Sequence, residues 1–305
     1  MRRAFADILT QSADEDDRLA FVTGDLGFQV FTDFQNKYPS RFVNVGVAEA
    51  QMINISAGLA LEGWHPIAYS IASFATARAF EQIRYCIAYH NLPVILVGAG
   101  RGFTYSTSGI SHHSADDLGL MSLLPGMTIV APGEPFELKE LFRQVLQQRK
   151  PAYFTVGRFG ELSYEAEEVP VLGKARLVRK GSQVAILTVA EMVHDAIKAH
   201  TELAAAGCHP TIHQFHTLKP LDTDTLDLLA ANHETFITVE EHVPSGGLWS
   251  AVCAWSATAP KRPQLRRLGP PDAFILGNPK REELRARYGF DAAAIVNACR
   301  KAFGK

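Results

Sequence analysis

The chain has 305 residues, 47% hydrophobic and 20% charged, and its 30 Lys+Arg against 32 Asp+Glu give a formal net charge of −2. So much apolar material with so little net charge excludes an intrinsically disordered chain, and the near-neutral balance argues against a nucleic-acid binder. No apolar run approaches the roughly 18–20 residues that cross a bilayer, and a length near twice the roughly 150 residues of one domain points to two.

Short apolar runs, the mark of buried parallel strands, alternate along the chain with longer stretches of helical period. The pattern predicts a helix over Ala4–Leu19, a strand over Ala20–Thr23 and a short helix over Phe31–Lys37. A strand at Phe42–Val45 and a helix at Ala48–Leu61 follow, then strand His65–Tyr69, helix Ala75–Tyr89 and strand Pro93–Val97. Helix Ala115–Ser122, strand Thr128–Ala131, helix Pro135–Gln148 and strand Ala152–Thr155 complete the first half. The stretch Gly160–Lys180, with its acidic run Glu165-Ala166-Glu167-Glu168 and Pro170, breaks the rhythm and is read as a boundary. Beyond it the pattern predicts strands at Val184–Val189, Pro210–Gln214 and Thr235–Val239, and helices at Met192–Ala206, Thr223–Asn232, Gly247–Ser256 and Ala292–Phe303. The expected architecture is therefore α/β: two tandem three-layer units with mainly parallel sheets, residues 1–165 and 166–305. Met1–Asp7 is charged and interrupted by Asp7, unlike a secretory leader. Cys86, Cys208, Cys253 and Cys299 lie far apart without metal-ligand spacing, as expected of cytoplasmic thiols.

Four segments carry chemistry. Glu49 stands where a strand hands over to a helix, the place at which open parallel sheets collect ligands. A carboxyl there, flanked by apolar residues, is expected to be desolvated, which favours its protonated form. The competing reading is a first-turn glutamate complementing the helix dipole. Phe74, within Ser73-Phe74-Ala75-Thr76-Ala77-Arg78, either presents its ring to a flat ligand or packs the helix start. The polar loop Gly98–Ser114 holds Arg101, Ser106, Ser108 and the pair His112-His113. Long loops of this kind are usually functional, and one histidine fits a proton donor or oxyanion stabiliser better than the pair fits a metal. Glu240-Glu241-His242 with Ser245-Gly246-Gly247 either holds an anion at a helix start or forms a left-handed turn.

Taken in register, these segments resemble the thiamine-diphosphate enzymes of the transketolase family. The carrying matches are Val47-Ala48-Glu49, Phe74 to Arg84, Gly109-Ile110-Ser111-His112-His113, Leu124-Pro125-Gly126-Met127 with Val130-Ala131-Pro132, and Val239-Glu240-Glu241-His242 with Gly246-Gly247-Leu248. The resemblance covers essentially the whole chain. It implies a pyrimidine-binding domain followed by a transketolase C-terminal domain, as in the C-terminal subunit of a transketolase divided between two polypeptides.

In such enzymes the cofactor lies between chains, its diphosphate and divalent cation (Mg²⁺ or Ca²⁺) on a domain with a Gly-Asp-Gly…Asn motif. This sequence has Gly24-Asp25-Leu26-Gly27 instead, so the resemblance implies half of a cofactor site here and no metal ligands. The missing half would come from an N-terminal partner subunit, with self-association as a dimer within a heterotetramer. Glu49 matches the glutamate that bonds the pyrimidine nitrogen and favours the imino tautomer; Phe74 matches the stacking aromatic, with Arg78 beside it. His112 matches the loop histidine near the reacting carbon, and His113, Arg101 and Arg158 join it as substrate contacts, Arg158 toward a phosphate. Two departures bear on substrate. Ser106-Thr107-Ser108-Gly109 replaces an acidic Gly-Glu-Asp-Gly, and Gly100 stands where relatives carry a second histidine. The implied activity is transfer of a two-carbon ketol unit from a ketose, phosphorylated or otherwise modified, to an aldehyde. Decarboxylative carboligation, as in 1-deoxyxylulose-5-phosphate synthase or a 2-oxoacid dehydrogenase β-type subunit, and a non-catalytic scaffold are the alternatives.

Overall fold

The computed structural model describes residues 1–27, 29–158, 162–166 and 168–304. Its strands are β1 (Leu19–Thr23), β2 (Phe42–Asn44), β3 (His65–Ile71), β4 (Ile95–Ala99), β5 (Thr128–Val130) and β6 (Ala152–Val156) in the first half. The second half adds β7 (Arg176–Arg179), β8 (Gln183–Thr188), β9 (Thr211–Gln214), β10 (Thr217–Lys219), β11 (His233–Val239) and β12 (Gln264–Leu268). They form a seven-stranded sheet in the order β10-β5-β6-β4-β3-β1-β2 and a five-stranded sheet in the order β12-β11-β8-β9-β7. All pairings are parallel except β10 on β5 and β7 on β9. Strands β1, β4 and β6 are buried at every position, as their unbroken apolar runs require once helices cover both faces.

Aromatic packing fills one face of the larger sheet. Phe5, from the helix Arg2–Glu15, stacks on Tyr69 of β3 with ring centroids 5.9 Å apart and meets Phe142, from the helix Pro135–Gln148, edge-on at 5.3 Å. Each fully buried phenylalanine of this layer contributes about 1.5–3 kcal/mol by removal from water. On the other face, Met52, Ile53, Leu96 and Met121 belong to a cluster that continues into Leu187, Phe215, Phe236 and Trp255, so one core runs between the two sheets.

Several expectations change. Arg176–Arg179 forms β7 inside the expected boundary stretch, of which Gly160, Glu161 and Glu167 lie outside the described residues. β7, β10, β12 and the helix Arg281–Tyr288 escaped the apolar-run criterion because they are short or rich in arginine; the helix buries only Leu284. The expected helix 75–89 is broken into Ala72–Thr76, Phe80–Gln82 and a wide turn over Ile83–Ala88. β10 pairs Thr217 with Val130, so a strand of the second half extends the first half's sheet.

Candidate functional site

β1, β3, β4 and β6 end side by side at Thr23, Ile71, Ala99 and Val156, and the loops that follow carry the chemistry. Glu49 opens the helix Glu49–Leu61 and is 4% exposed. Its carboxylate accepts from Ser70 Oγ at 3.4 Å and from Arg78 Nη1 at 3.3 Å. The Arg78 guanidinium also lies over the half-buried Phe74 ring, 3.8 Å from its centroid. Ser73 Oγ donates to the Ser111 carbonyl at 3.1 Å, tying this segment to the histidine loop. Glu49, Phe74, Arg78 and His112 thus form one cluster, with Phe74 and His112 edge to face at 5.0 Å. A half-exposed aromatic beside a buried carboxyl suits a flat heterocycle that is stacked on one face and hydrogen-bonded at its edge.

The loop after β4 is not structureless. Short 3₁₀ turns at Ser106–Ser108 and Ile110–His112 and a bridge between Gly102 and Ser114 shape it. Ser111 Oγ pairs with His112 Nδ1 at 2.9 Å. Burial, then the charges of Arg78 and His113, lower the His112 pKa, so the imidazole is neutral at pH 7. His113 is turned inward: its Nε2 meets the Ser106 carbonyl at 3.3 Å and its ring packs on Phe103 at 5.1 Å.

Arg101 departs from the expectation of a substrate contact. It is 1% exposed and donates to Glu191 of the second half, because a guanidinium this deep requires a carboxylate partner. Arg158 remains at the carboxyl edge, half-buried, its guanidinium 4.6 Å from the Tyr105 ring centroid. It lines a cavity of about 550 Å³ together with Arg2, Arg3, Asp7 and Asp33.

The second half holds the loop from behind. Glu241, 1% exposed, accepts from the Phe103 backbone N–H at 3.1 Å, from Arg281 Nε at 3.0 Å and from Arg285 Nε at 2.9 Å. Gly119 N–H donates to His242 Nε2 at 3.1 Å. The glycines at 246 and 247 do start a helix, but the acceptor there is the protein's own Glu240 carboxyl, pushed up to about 7 by burial, which accepts from Leu248 N–H at 2.7 Å and Trp249 N–H at 2.9 Å. Sequence reasoning missed Ser70, Arg281 and Arg285, because nothing in local spacing brings these positions to the loop, and it passed over Tyr105 within the loop itself. Asp25, in the departing Gly24-Asp25 motif, accepts from Asn44 Nδ2 at 2.9 Å. Among the described residues, no group of three or more His, Cys, Asp or Glu is arranged to hold a metal ion, and no helix is long and apolar enough to cross a membrane.

The first parallel sheet thus carries this cluster at its carboxyl edge, and the second α/β unit braces the loop that completes it. The chain belongs to the transketolase family: residues 1–159 match the transketolase pyrimidine-binding domain and residues 173–295 the transketolase C-terminal domain. It is 34% identical over 301 residues to the 6-deoxy-6-sulfo-D-fructose transketolase subunit of Clostridium sp. (strain MSTE9), covering 98% of this chain and 92% of the relative. It is 32% identical to an apulose-4-phosphate transketolase subunit of Phocaeicola vulgatus, covering 96% and 94% of the two chains. A structure described as a split-gene transketolase, inactive beta4 tetramer, superposes with a TM-score of 0.91 at 30% identity, covering 99% of this chain and 98% of that one. The chain therefore corresponds, nearly end to end, to the C-terminal subunit of transketolases divided between two polypeptides. Enzymes of this family depend on thiamine diphosphate.

Proposed function

We propose that this chain, joined to an N-terminal partner subunit, transfers a two-carbon ketol unit from a ketose with an acidic tail to an aldehyde. The observation that carries the reading is the cluster of Glu49, Phe74, Arg78 and His112 at the carboxyl edge of the sheet. Two relatives support the acidic tail, since their names specify a sulfonated and a phosphorylated sugar. Thiamine diphosphate, when bound, supplies the carbon–carbon bond chemistry. Phe74 and Arg78 would border the aminopyrimidine, and Glu49 would hydrogen-bond its ring nitrogen. His112, with Nδ1 engaged by Ser111, exchanges a proton with a substrate oxygen through Nε2. Arg158 pairs with the acidic tail, for which a planar guanidinium is suited. The diphosphate and its Mg²⁺ or Ca²⁺ fall to the partner, within a heterotetramer built on a dimer of this chain in the cytoplasm.

Reconstitution tests this. With the N-terminal subunit, thiamine diphosphate and Mg²⁺, ketol transfer should appear, and the chain alone should show neither turnover nor sub-micromolar cofactor binding. Turnover without a partner refutes the divided site. Carbon dioxide release from pyruvate in place of ketol transfer refutes the reaction and indicates decarboxylative carboligation.

A further inference from the structure

A thread of backbone hydrogen bonds runs through the histidine loop. The Phe103 carbonyl accepts from Ser106 N–H at 2.9 Å, the Ser106 carbonyl from Gly109 N–H at 3.2 Å, and the Gly109 carbonyl from His112 N–H at 3.0 Å. Each bond joins residues three apart, the 3₁₀ pattern, so one ladder leads from Phe103 to His112. At its foot, Phe103 N–H donates to Glu241 Oε2 at 3.1 Å. At its middle, Gly109 joins the two 3₁₀ turns with φ +79° and ψ −174°, a conformation open essentially to glycine alone. The foot is also fixed sideways. Gly102 and Ser114 exchange backbone bonds of 3.2 and 2.8 Å across the base of the loop, and Val243 N–H donates to the Ala115 carbonyl at 2.7 Å. Gly102, at φ +60°, leaves room for the Glu241 carboxylate, which a Cβ at that position would strike. Phe103 and Ala115 share the second half's core with Ile237, Val239 and Ile275. Glu241 itself is held by Arg281 and Arg285 of the helix Arg281–Tyr288.

We propose that Glu241 is a positioning residue for His112: it anchors the foot of this ladder, so the second α/β unit sets where the imidazole of the first unit's cluster points. This deepens, and rests on, the ketol-transfer reading. A run of short hydrogen-bonded turns passes a displacement at its foot on to its tip, whereas a slack loop would absorb it. Glu49 is placed independently, by Ser70 and Arg78 of the first half. The two chemical tasks therefore respond differently to the ladder. Exchange of the cofactor C2 proton depends on Glu49, and proton exchange with the substrate depends on His112, so a disturbance that starts at Glu241 reaches the second and spares the first.

The test uses the reconstituted complex with Glu241→Gln, Gly109→Ala and His112→Asn, and with each of the first two combined with the third. Glu241→Gln removes the charge that Arg281 and Arg285 hold under the ladder. Gly109→Ala breaks its middle, at a half-buried turn away from the core, and so keeps the test open if the first variant folds poorly. Ketol transfer should fall in kcat by about 10-fold in Glu241→Gln and by roughly 10²-fold in Gly109→Ala, the scale of a 1 Å misplacement. KM for the ketose should stay within about 2-fold, as when an interaction made in the transition state is lost. Exchange of the C2 proton into deuterated water should stay within about 2-fold of wild type, because Glu49 is held separately. In the His112→Asn background neither substitution should lower kcat further, since both act through that side chain. Hydrogen exchange followed by mass spectrometry should quicken over residues 106–113 in both single variants. Losses that multiply with that of His112→Asn, a parallel fall in C2 exchange, or unchanged transfer in both single variants overturns the proposal. A wild-type complex that exchanges the C2 proton without transferring a ketol unit refutes the ketol-transfer reading instead. Hydrogen exchange then decides the ladder by itself, and unchanged protection over 106–113 in both variants overturns it.

Discussion

Replacing Glu241 with glutamine isolates the contact by which the second half grips the histidine loop. The carboxylate is 1% exposed and faces Arg281 and Arg285, whose side chains are 18% and 13% exposed. Glutamine keeps the shape and one acceptor for the Phe103 N–H but leaves two guanidiniums without their shared counter-charge. Removing one partner of a buried pair typically costs about 3–5 kcal/mol. Asp195 still meets Arg285 at 2.8 Å, and Glu191 lies 3.7 Å from Arg281, so the expected loss is at the lower end, about 3 kcal/mol. Burial alone would raise the Glu241 pKa, but Arg281 and Arg285 hold it well below the carboxylate range. A depressed acid stabilises the fold above its unfolded pKa, near 4.5, and loses that contribution as pH falls toward its folded value. The gap between wild type and Glu241→Gln should accordingly be full at pH 7 and narrow below about pH 4.5. Urea unfolding at pH 7 and pH 4 measures the gap, and hydrogen exchange at the Phe103 amide reports whether the loop has come loose. A gap below about 1 kcal/mol at pH 7, or one that widens in acid, refutes the bracing argument.

Other outcomes follow from the same geometry. In the reconstituted complex, Glu49→Gln should lower turnover by roughly 10²-fold, with a parallel loss in exchange of the cofactor C2 proton into deuterated water followed by NMR; exchange at the wild-type rate would reduce Glu49 to a helix-start residue. Tyr153→Phe removes the O–H that donates to Asp117 Oδ2 at 2.7 Å, both groups being buried, and should cost about 1–3 kcal/mol in thermal or urea unfolding. Burial already pushes Asp117 up to about 7, so its carboxyl should titrate higher still in that variant, readable by NMR. His112 has its pKa lowered, so wild-type transfer should hold as pH falls through 6.5 and decline only below it, while His112→Asn should lose roughly 10²-fold without that acid limb. Sedimentation at micromolar concentration should show a dimer of this chain or a heterotetramer with its partner; a strict monomer in both conditions contradicts the assembly.

The sequence by itself determined the α/β class and most of the strand and helix positions, because a strand buried on both faces has to be an uninterrupted apolar run. It also carried Glu49, Phe74 and His112, since each sits at a strand-to-helix handover or in the polar loop, where short-range signals survive. Hidden were the arginine-rich pieces: β7, β12 and the helix Arg281–Tyr288 show little apolar period, because their place is set by ion pairs and edge pairing with distant segments. Only the tertiary structure distinguished the two arginines that the sequence offers as substrate contacts. Arg101 and Arg158 both follow strands of one sheet, yet Arg101 turns inward to a carboxylate 90 residues away while Arg158 rests on Tyr105 at a cavity wall. No local pattern encodes that choice, because a charge is buried or left at the surface according to the partner that the fold brings to it from elsewhere in the chain.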